Sequence, residues 1–243
     1  MSERLVHFIS DLHLSPKRPA TSAAFARYLA GPAREAGALY VLGDLFDAWP
    51  GDDALVEPAA RGVADMLAAL HAGGTEVFFM AGNRDFLIDK DFAAAARLTL
   101  LTEPHEILLG DTRTLLMHGD ALCTDDVEYQ RFRAMVRNPQ WRAAVLAKPL
   151  AERLAMAAEV RMQSESAKQE KSAEIMDVNA EAVAQTLRDA GYPQLIHGHT
   201  HRPQRHVHQV DGRECLRWVL HDWHDHAQWL AWSPAGGLQY RHL

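Results

Sequence analysis

The chain is poor in cysteine: Cys123 and Cys215 are the only two in 243 residues. That excludes a disulfide framework and fits a reducing compartment. Neither cysteine has a partner at metal-ligand spacing, and both are expected to pack as small apolar side chains. Long hydrophobic runs are missing too, with nothing near the roughly 18 apolar residues that cross a bilayer. Met1-Ser2-Glu3-Arg4 leads directly into Leu5-Val6-His7-Phe8-Ile9, without the apolar core or cleavage site of a signal peptide. A cytoplasmic protein is expected, at most lying on a membrane surface. Basic residues are in deficit: 25 Lys and Arg against 32 Asp and Glu give a formal charge of −7. This argues against broad binding to a nucleic-acid backbone. No internal repeat or low-complexity segment divides the chain, so residues 1–243 are expected to form a single domain with a proper core.

Strand-like and helical stretches alternate through the first part. Leu5–Ile9, Leu39–Leu42 and Glu76–Met80 read as strands, and Thr21–Leu29 and Pro58–Leu70 as helices, with Val63, Met66, Leu67 and Leu70 at helical spacing. Such alternation indicates βαβ units and a largely parallel sheet. Leu115–Met117 and Leu195–His197 add two buried strands. In the tail, His206–Val210, Arg213–Leu220, Ala227–Ser233 and Gly236–Arg241 are separated by turn signals and read as antiparallel hairpins. The expected architecture is α/β, two packed sheets with helices outside. From about Asp125 to Ala190 the strand pattern disappears. Pro139 and Pro149 punctuate an Ala-, Glu- and Arg-rich stretch, which predicts several short helices over the strand ends.

Five short segments follow those apolar runs: Asp11-Leu12-His13, Gly43-Asp44, Gly82-Asn83-Arg84-Asp85, His118-Gly119-Asp120 and Gly198-His199-Thr200-His201. Asp11 and His13 flank one residue, as do His199 and His201, so each pair can point to one side of a turn. Taken singly, Asp-x-His reads equally as a capped turn and Gly-Asn as a turn signal. Together, at strand ends that converge on one sheet edge, they form a set of carboxylate, imidazole and amide donors suited to two divalent cations. His197 reads as a packed histidine, and the irregularly spaced His221, His224 and His226 as a polar loop.

These segments resemble the calcineurin-like metallophosphoesterases, whose pattern is D-x-H, G-D-x-x-D, G-N-H-[DE], a later His, and G-H-x-H. The resemblance implies a two-sheet αββα sandwich with metal ligands at Asp11, His13, Asp44, Asn83, His118, His199 and His201. One position departs: Arg84 stands where that superfamily has His. With Gly43-Asp44-Leu45-Phe46-Asp47-Ala48-Trp49, His118-Gly119-Asp120-Ala121-Leu122-Cys123-Thr124-Asp125-Asp126, Ile175-Met176-Asp177-Val178-Asn179 and His197-Gly198-His199-Thr200-His201-Arg202-Pro203, the chain is similar throughout to the UDP-2,3-diacylglucosamine hydrolase family of lipid A biosynthesis. That resemblance implies a helical cap insertion over 122–190 and two divalent metals, usually Mn²⁺. It implies cleavage of the UDP-2,3-diacylglucosamine pyrophosphate into UMP and 2,3-diacylglucosamine 1-phosphate on the cytoplasmic face of the inner membrane, with peripheral attachment and no obligate protein partner. It implies catalytic roles for Asp44, Asn83, Arg84, His118 and His199, and substrate contacts from Asn83, Arg84, Asp126, Ser164, Lys168, Lys171 and His199.

The chemistry of the residues agrees. A sugar phosphate leaving group has a second pKa of about 6 and departs without a proton donor, so a fixed cation at position 84 is sensible. Ser164, Lys168 and Lys171 sit four and three apart on one helix face, a spacing that alone suits a solvated surface as well as a phosphate grip. Phe132, Met135, Val136, Trp141, Val145, Leu150, Leu154, Met156 and Val160 exceed what small helices need, so some pack and the rest can line an acyl groove. Ten methylenes leaving a bilayer would cost on the order of 8 kcal/mol, which an open surface does not return. Arg131, Arg133, Arg137, Arg142 and Arg153 can face anionic lipid or solvent. Two other functions fit less well: a phosphoesterase for nucleotides or other phosphodiesters, and a non-catalytic scaffold that should have lost ligands.

Overall fold

In the computed structural model, residues 4–170 and 177–243 are described, 163–170 through their backbone alone. The elements in chain order are β1 (Leu5–Ile9), α1 (Pro19–Ala30), β2 (Ala36–Leu42), α2 (Pro58–Ala72), β3 (Glu76–Met80), α3 (Lys90–Ala96), β4 (Thr99–Leu101), β5 (His105–Leu109) and β6 (Thr112–Leu116). Then come α4 (Val127–Val136), α5 (Pro139–Leu146), α6 (Leu150–Glu170), α7 (Ala180–Asp189), β7 (Gln194–His197), β8 (Arg205–Val210), β9 (Arg213–Val219), β10 (Gln228–Ser233) and β11 (Gly237–His242).

Two mixed sheets result, ordered β11-β10-β1-β2-β3-β4 and β5-β6-β7-β9-β8. The pairs β1/β2, β2/β3, β6/β7 and β7/β9 are parallel, and the tail forms the predicted antiparallel hairpins. Asp211 and Gly212, both at positive φ, close β8 onto β9 as a left-handed two-residue turn requires. Phe8, Leu42, Met80, Leu116, Ile196 and Leu230 fill the space between the sheets. Phe25, Tyr28, Leu67 and Phe92 cover the outer face of the first sheet, and Val183 and Leu187 of α7 that of the second. The layers are therefore α/β/β/α, as expected.

The sequence reading misses α3, β4 and β5. It also expects only short helices between β6 and β7, whereas α6 runs 21 residues. No proline follows Pro149 until Pro193, so nothing in α6 removes a backbone donor. Helix α7 packs on the second sheet, and α4–α6 precede it in the chain. Those three helices are held by arginines. Arg153, only 4% exposed, donates to Pro50 O and to Asp53; Arg161 pairs with Asp47, and Arg142 lies 4.0 Å from Asp89. Arg137 donates to Ala81 O and Gly82 O at 3.1 and 3.0 Å. Arg133 bonds Asp120 and Glu103. Of the arginines that can face lipid or solvent, Arg133, Arg137 and Arg153 instead spend their donors on protein acceptors; Arg142 stays near the exposed Asp89 and Arg131 beside Glu128.

Candidate metal centre

Five parallel strands deliver the candidate ligands. Asp11 and His13 follow β1, Asp44 follows β2, Asn83 follows β3, His118 follows β6, and His199 and His201 follow β7. Strands β1–β3 end on one edge of the first sheet and β6 and β7 on the matching edge of the second, so their loops meet, as at the carboxyl ends of other α/β sheets. The backbone is strained to achieve this. Among the described residues eight non-glycines have positive φ, and five of them are Asp11, His13, Asp44, His199 and His201. Each such residue costs about 1–3 kcal/mol and persists where surrounding contacts enforce it. Gly43 (φ +89) must be glycine, since a Cβ there would run into the His118 ring and the Gly82 backbone.

The side chains converge. Asn83 Oδ1 lies 2.9 Å from His118 Nε2 and 3.0 Å from His199 Nδ1. His13 Nε2 and His201 Nε2 are 3.4 Å apart, and His201 Nε2 is 3.3 Å from Asp11 Oδ1. Asp44 reaches both groups, with Oδ2 3.8 Å from His13 Nδ1 and Oδ1 3.8 Å from His118 Nε2. Ligand atoms of Asp11, His13 and His201 lie within 4.8 Å of one another, as do those of Asp11, Asp44 and His118. All seven residues anticipated from sequence are brought together.

A cation fits this arrangement. His118 Nδ1 lies 2.8 Å from Leu42 O, which only accepts, so Nδ1 carries a proton and Nε2, the nitrogen left for ligation, faces Asn83 Oδ1. A cation there would take the place of the proton that Nε2 otherwise needs to face that oxygen. His13 Nδ1 is buried without a hydrogen-bond partner, a cost a ligated cation would remove. Asp11 and Asp44 are 0 and 2% exposed, and buried carboxylates need compensating positive charge.

Electrostatics follow the same logic. Burial holds His13 and His199 down to about 3, which keeps them neutral and able to ligate. Burial pushes Asp44 up to about 7, reinforced by Asp85 and Asp11. For His118, burial opposes the charged ring, yet Asp44, Asp120, Asp11 and Glu103 outweigh it and raise it to about 9. Burial would raise Asp11, but the His201 hydrogen bond and the surrounding imidazoles hold it far below its usual range.

Several supporting groups have no role assigned to them in the sequence reading. Asp85 accepts the backbone N–H groups of Gly82, Asp44, Leu45 and Phe46 at 2.9, 3.2, 2.7 and 3.4 Å, tying the loops after β2 and β3 together. Glu103 accepts from His118 N at 2.7 Å. Asp120 accepts from Tyr129 and Arg133 of α4 at 2.7 and 2.9 Å. Asp222 lies 3.4 Å from His201 Nδ1 and 3.1 Å from His224, so the loop read as merely polar supports a candidate ligand. Asp85 and Asp120 stand inside conspicuous motifs; Glu103 and Asp222 carry no local signal.

Of the other anticipated residues, Arg84 is half-buried at the rim, its N–H bonded to Asp44 Oδ1 at 2.8 Å and its charge felt by His13. Asp126 caps α4, accepting from Tyr129 N at 3.1 Å. Ser164 and Lys168 lie on α6, where only the backbone is described, and Lys171 falls outside the described residues. Cys123 and Cys215 are buried, as expected.

The family model of the calcineurin-like phosphoesterases matches residues 5–203. Three curated proteins named UDP-2,3-diacylglucosamine hydrolase are similar over nearly the full length. That of Aromatoleum aromaticum is 57% identical over 229 residues, 94% of this chain and 93% of its own. That of Bordetella pertussis is 52% identical, covering 94 and 88%, and that of Cellvibrio japonicus 47% identical, covering 96 and 97%. Identity at that level across the whole length, over a fold whose strand ends gather the expected donors, makes this chain a member of the UDP-2,3-diacylglucosamine hydrolase family within the calcineurin-like phosphoesterases.

Proposed function

We propose that the protein cleaves the pyrophosphate of UDP-2,3-diacylglucosamine by water attack at the α-phosphorus, releasing UMP and 2,3-diacylglucosamine 1-phosphate. The observation that carries this reading is Arg84. It follows candidate ligand Asn83 and stands at the rim, where a phosphatase releasing an alkoxide would want an acid. Asp11, His13 and His201 would hold one cation and Asn83, His118 and His199 the other, with Asp44 between them. Mn²⁺ suits this mixed N and O donor set, as Zn²⁺ and Fe²⁺ also do. When bound, the cations supply Lewis acidity and lower the pKa of a water toward neutrality.

The chain's own groups do the rest. Arg84 places planar donors against the phosphoryl oxygens on which charge accumulates. The sugar phosphate leaves as an anion and needs no proton from the protein. Asn83 and His199 also face the substrate, and Asp126, Ser164, Lys168 and Lys171 bind its polar part. Within 122–190, helices α4–α6 form a cap. Val136 and Val145 are buried, and Trp141, Leu150 and Met156 pack on the main core. Met135, Leu154 and Val160 are 45, 48 and 39% exposed, leaving apolar surface for acyl chains. Among the described residues no helix is long and apolar enough to cross a membrane, consistent with peripheral attachment at the cytoplasmic face of the inner membrane.

Turnover of UDP-2,3-diacylglucosamine and of a soluble phosphodiester by Mn²⁺-supplemented protein tests the assignment. UMP release from the first and slow reaction with the second is expected. Fast diester hydrolysis with no reaction of the acylated nucleotide sugar would instead establish the broader phosphoesterase activity.

A further inference from the structure

Arg217 is a buried cation that the proposed chemistry does not use. It lies on β9, is 6% exposed, and directs its hydrogen bonds at two imidazoles. Nη1 is 2.9 Å from His197 Nε2, and Nε donates to His208 Nε2 at 3.0 Å. Among the described residues no carboxylate lies within ion-pair distance of it, although the charge of Asp177 is close enough to be felt. We propose that Arg217 is a positioning residue: by fixing the tautomer of His197 it sets the Gly198–His201 turn, and through that turn the two imidazoles that would hold metal. The inference rests on His199 and His201 being ligands, as proposed above.

The hydrogen-bond inventory gives the direction. His197 Nδ1 lies 2.8 Å from Gly198 O, and a carbonyl only accepts, so Nδ1 carries the proton. His197 Nε2 is then a bare lone pair in a residue that is 0% exposed. A guanidinium only donates, so Arg217 satisfies that lone pair and excludes the Nε2–H form, in which two donors would face each other. The alternative tautomer would also turn the Nδ1 lone pair against Gly198 O.

Gly198 O is the hinge of the turn. It accepts from Thr200 N at 2.8 Å as well as from His197, while Gly198 N donates to His118 O at 2.9 Å. The next N–H, of His199, donates to Asp11 Oδ2 at 2.8 Å. Rotation of the Gly198–His199 peptide would therefore release the contact to Asp11, next to a peptide that is itself tied to His118. His197 has little room to absorb a change: a Cβ on Gly119, whose φ is +114, would sit 2.7 Å from His197 Nδ1. The Arg217–His197–Gly198 chain thus connects β9, which supplies no ligand, to the turn that supplies two.

Two measurements test this. In ¹⁵N-histidine-labelled, metal-free wild-type protein, long-range ¹H–¹⁵N spectra should show His197 protonated at Nδ1; the Nε2–H form would overturn the proposal without any variant. Mn²⁺ affinity should then be compared among wild type, R217M and C215A. Cys215 is buried on the same strand without bonding His197, so C215A reports general loosening of β9. R217M should bind Mn²⁺ about 10–100-fold more weakly, as loss of an outer-shell partner does, while C215A keeps wild-type affinity. Unchanged affinity in R217M, or an equal loss in C215A, would reduce Arg217 to a structural residue. Wild-type protein that binds no Mn²⁺ would instead overturn the ligand assignment, leaving the tautomer result to stand by itself.

Discussion

Asp85→Asn isolates the support of the site from its chemistry, because Asp85 is fully buried and is not among the candidate ligands. Oδ1 accepts from Gly82 N and Asp44 N, and Oδ2 from Leu45 N and Phe46 N. An amide of the same shape keeps only one of these oxygens. Whichever way it turns, its NH₂ faces two backbone N–H groups. The shortest bond, 2.7 Å to Leu45 N, is the one most worth keeping, so Gly82 N and Asp44 N lose their acceptor. Each buried N–H left without one costs about 1–3 kcal/mol, which puts the variant roughly 2–6 kcal/mol below wild type. At about 2–4 °C per kcal/mol for a chain of this size, Tm of the metal-free protein should fall by about 4–24 °C. The two loops also lose their tie, so Mn²⁺ affinity should fall in the protein that remains folded. Thermal unfolding followed by circular dichroism, with metal chelated, reads the first effect. An unchanged Tm would refute the view that this carboxyl holds the loops after β2 and β3.

Three further outcomes follow from the same geometry. Asp44→Asn should remove turnover and weaken Mn²⁺ binding while the chain stays folded, since Asn can still accept from Arg84 N; near-normal kcat would take Asp44 out of the bridging role. Arg84→Ala should lower kcat far more than it lowers Tm, because the half-buried guanidinium serves the phosphoryl group more than the fold; a matched loss of stability, with kcat intact in the folded fraction, would contradict this. Mn²⁺ affinity should rise with pH: Asp44, raised to about 7, and His118, raised to about 9, both carry protons below those values that a cation must displace. Calorimetry in buffers of different ionisation enthalpy should therefore detect proton release near pH 7, and pH-independent affinity would count against the two residues as ligands.

The legible parts of the molecule share one property, that their signal is local. Leu5–Ile9 and Glu76–Met80 are bounded by polar or turn residues and form strands with the anticipated limits. All seven candidate ligands stand within a few residues of such a strand, so convergence followed once the sheets were parallel. What was missed depends on distant partners or on short elements. β4 is three residues at a sheet edge, and α3 is a seven-residue, alanine-rich helix without an apolar repeat. Glu103 finds Arg133 and the His118 N–H only after folding, and Asp222 reads as one more loop carboxylate until His201 is beside it. The arginines of α4–α6 show the same limit, since a basic helix reads as facing lipid or solvent until Asp53, Glu103 and Asp120 are seen to receive it.

The most direct test of the account is hydrolysis of UDP-2,3-diacylglucosamine in ¹⁸O-water by the Mn²⁺-loaded protein, with mass spectrometry of both products. Attack at the α-phosphorus predicts the label in UMP and none in 2,3-diacylglucosamine 1-phosphate. Label in the sugar phosphate would contradict the proposed direction of attack, and with it the role given to Arg84 opposite an unassisted leaving group.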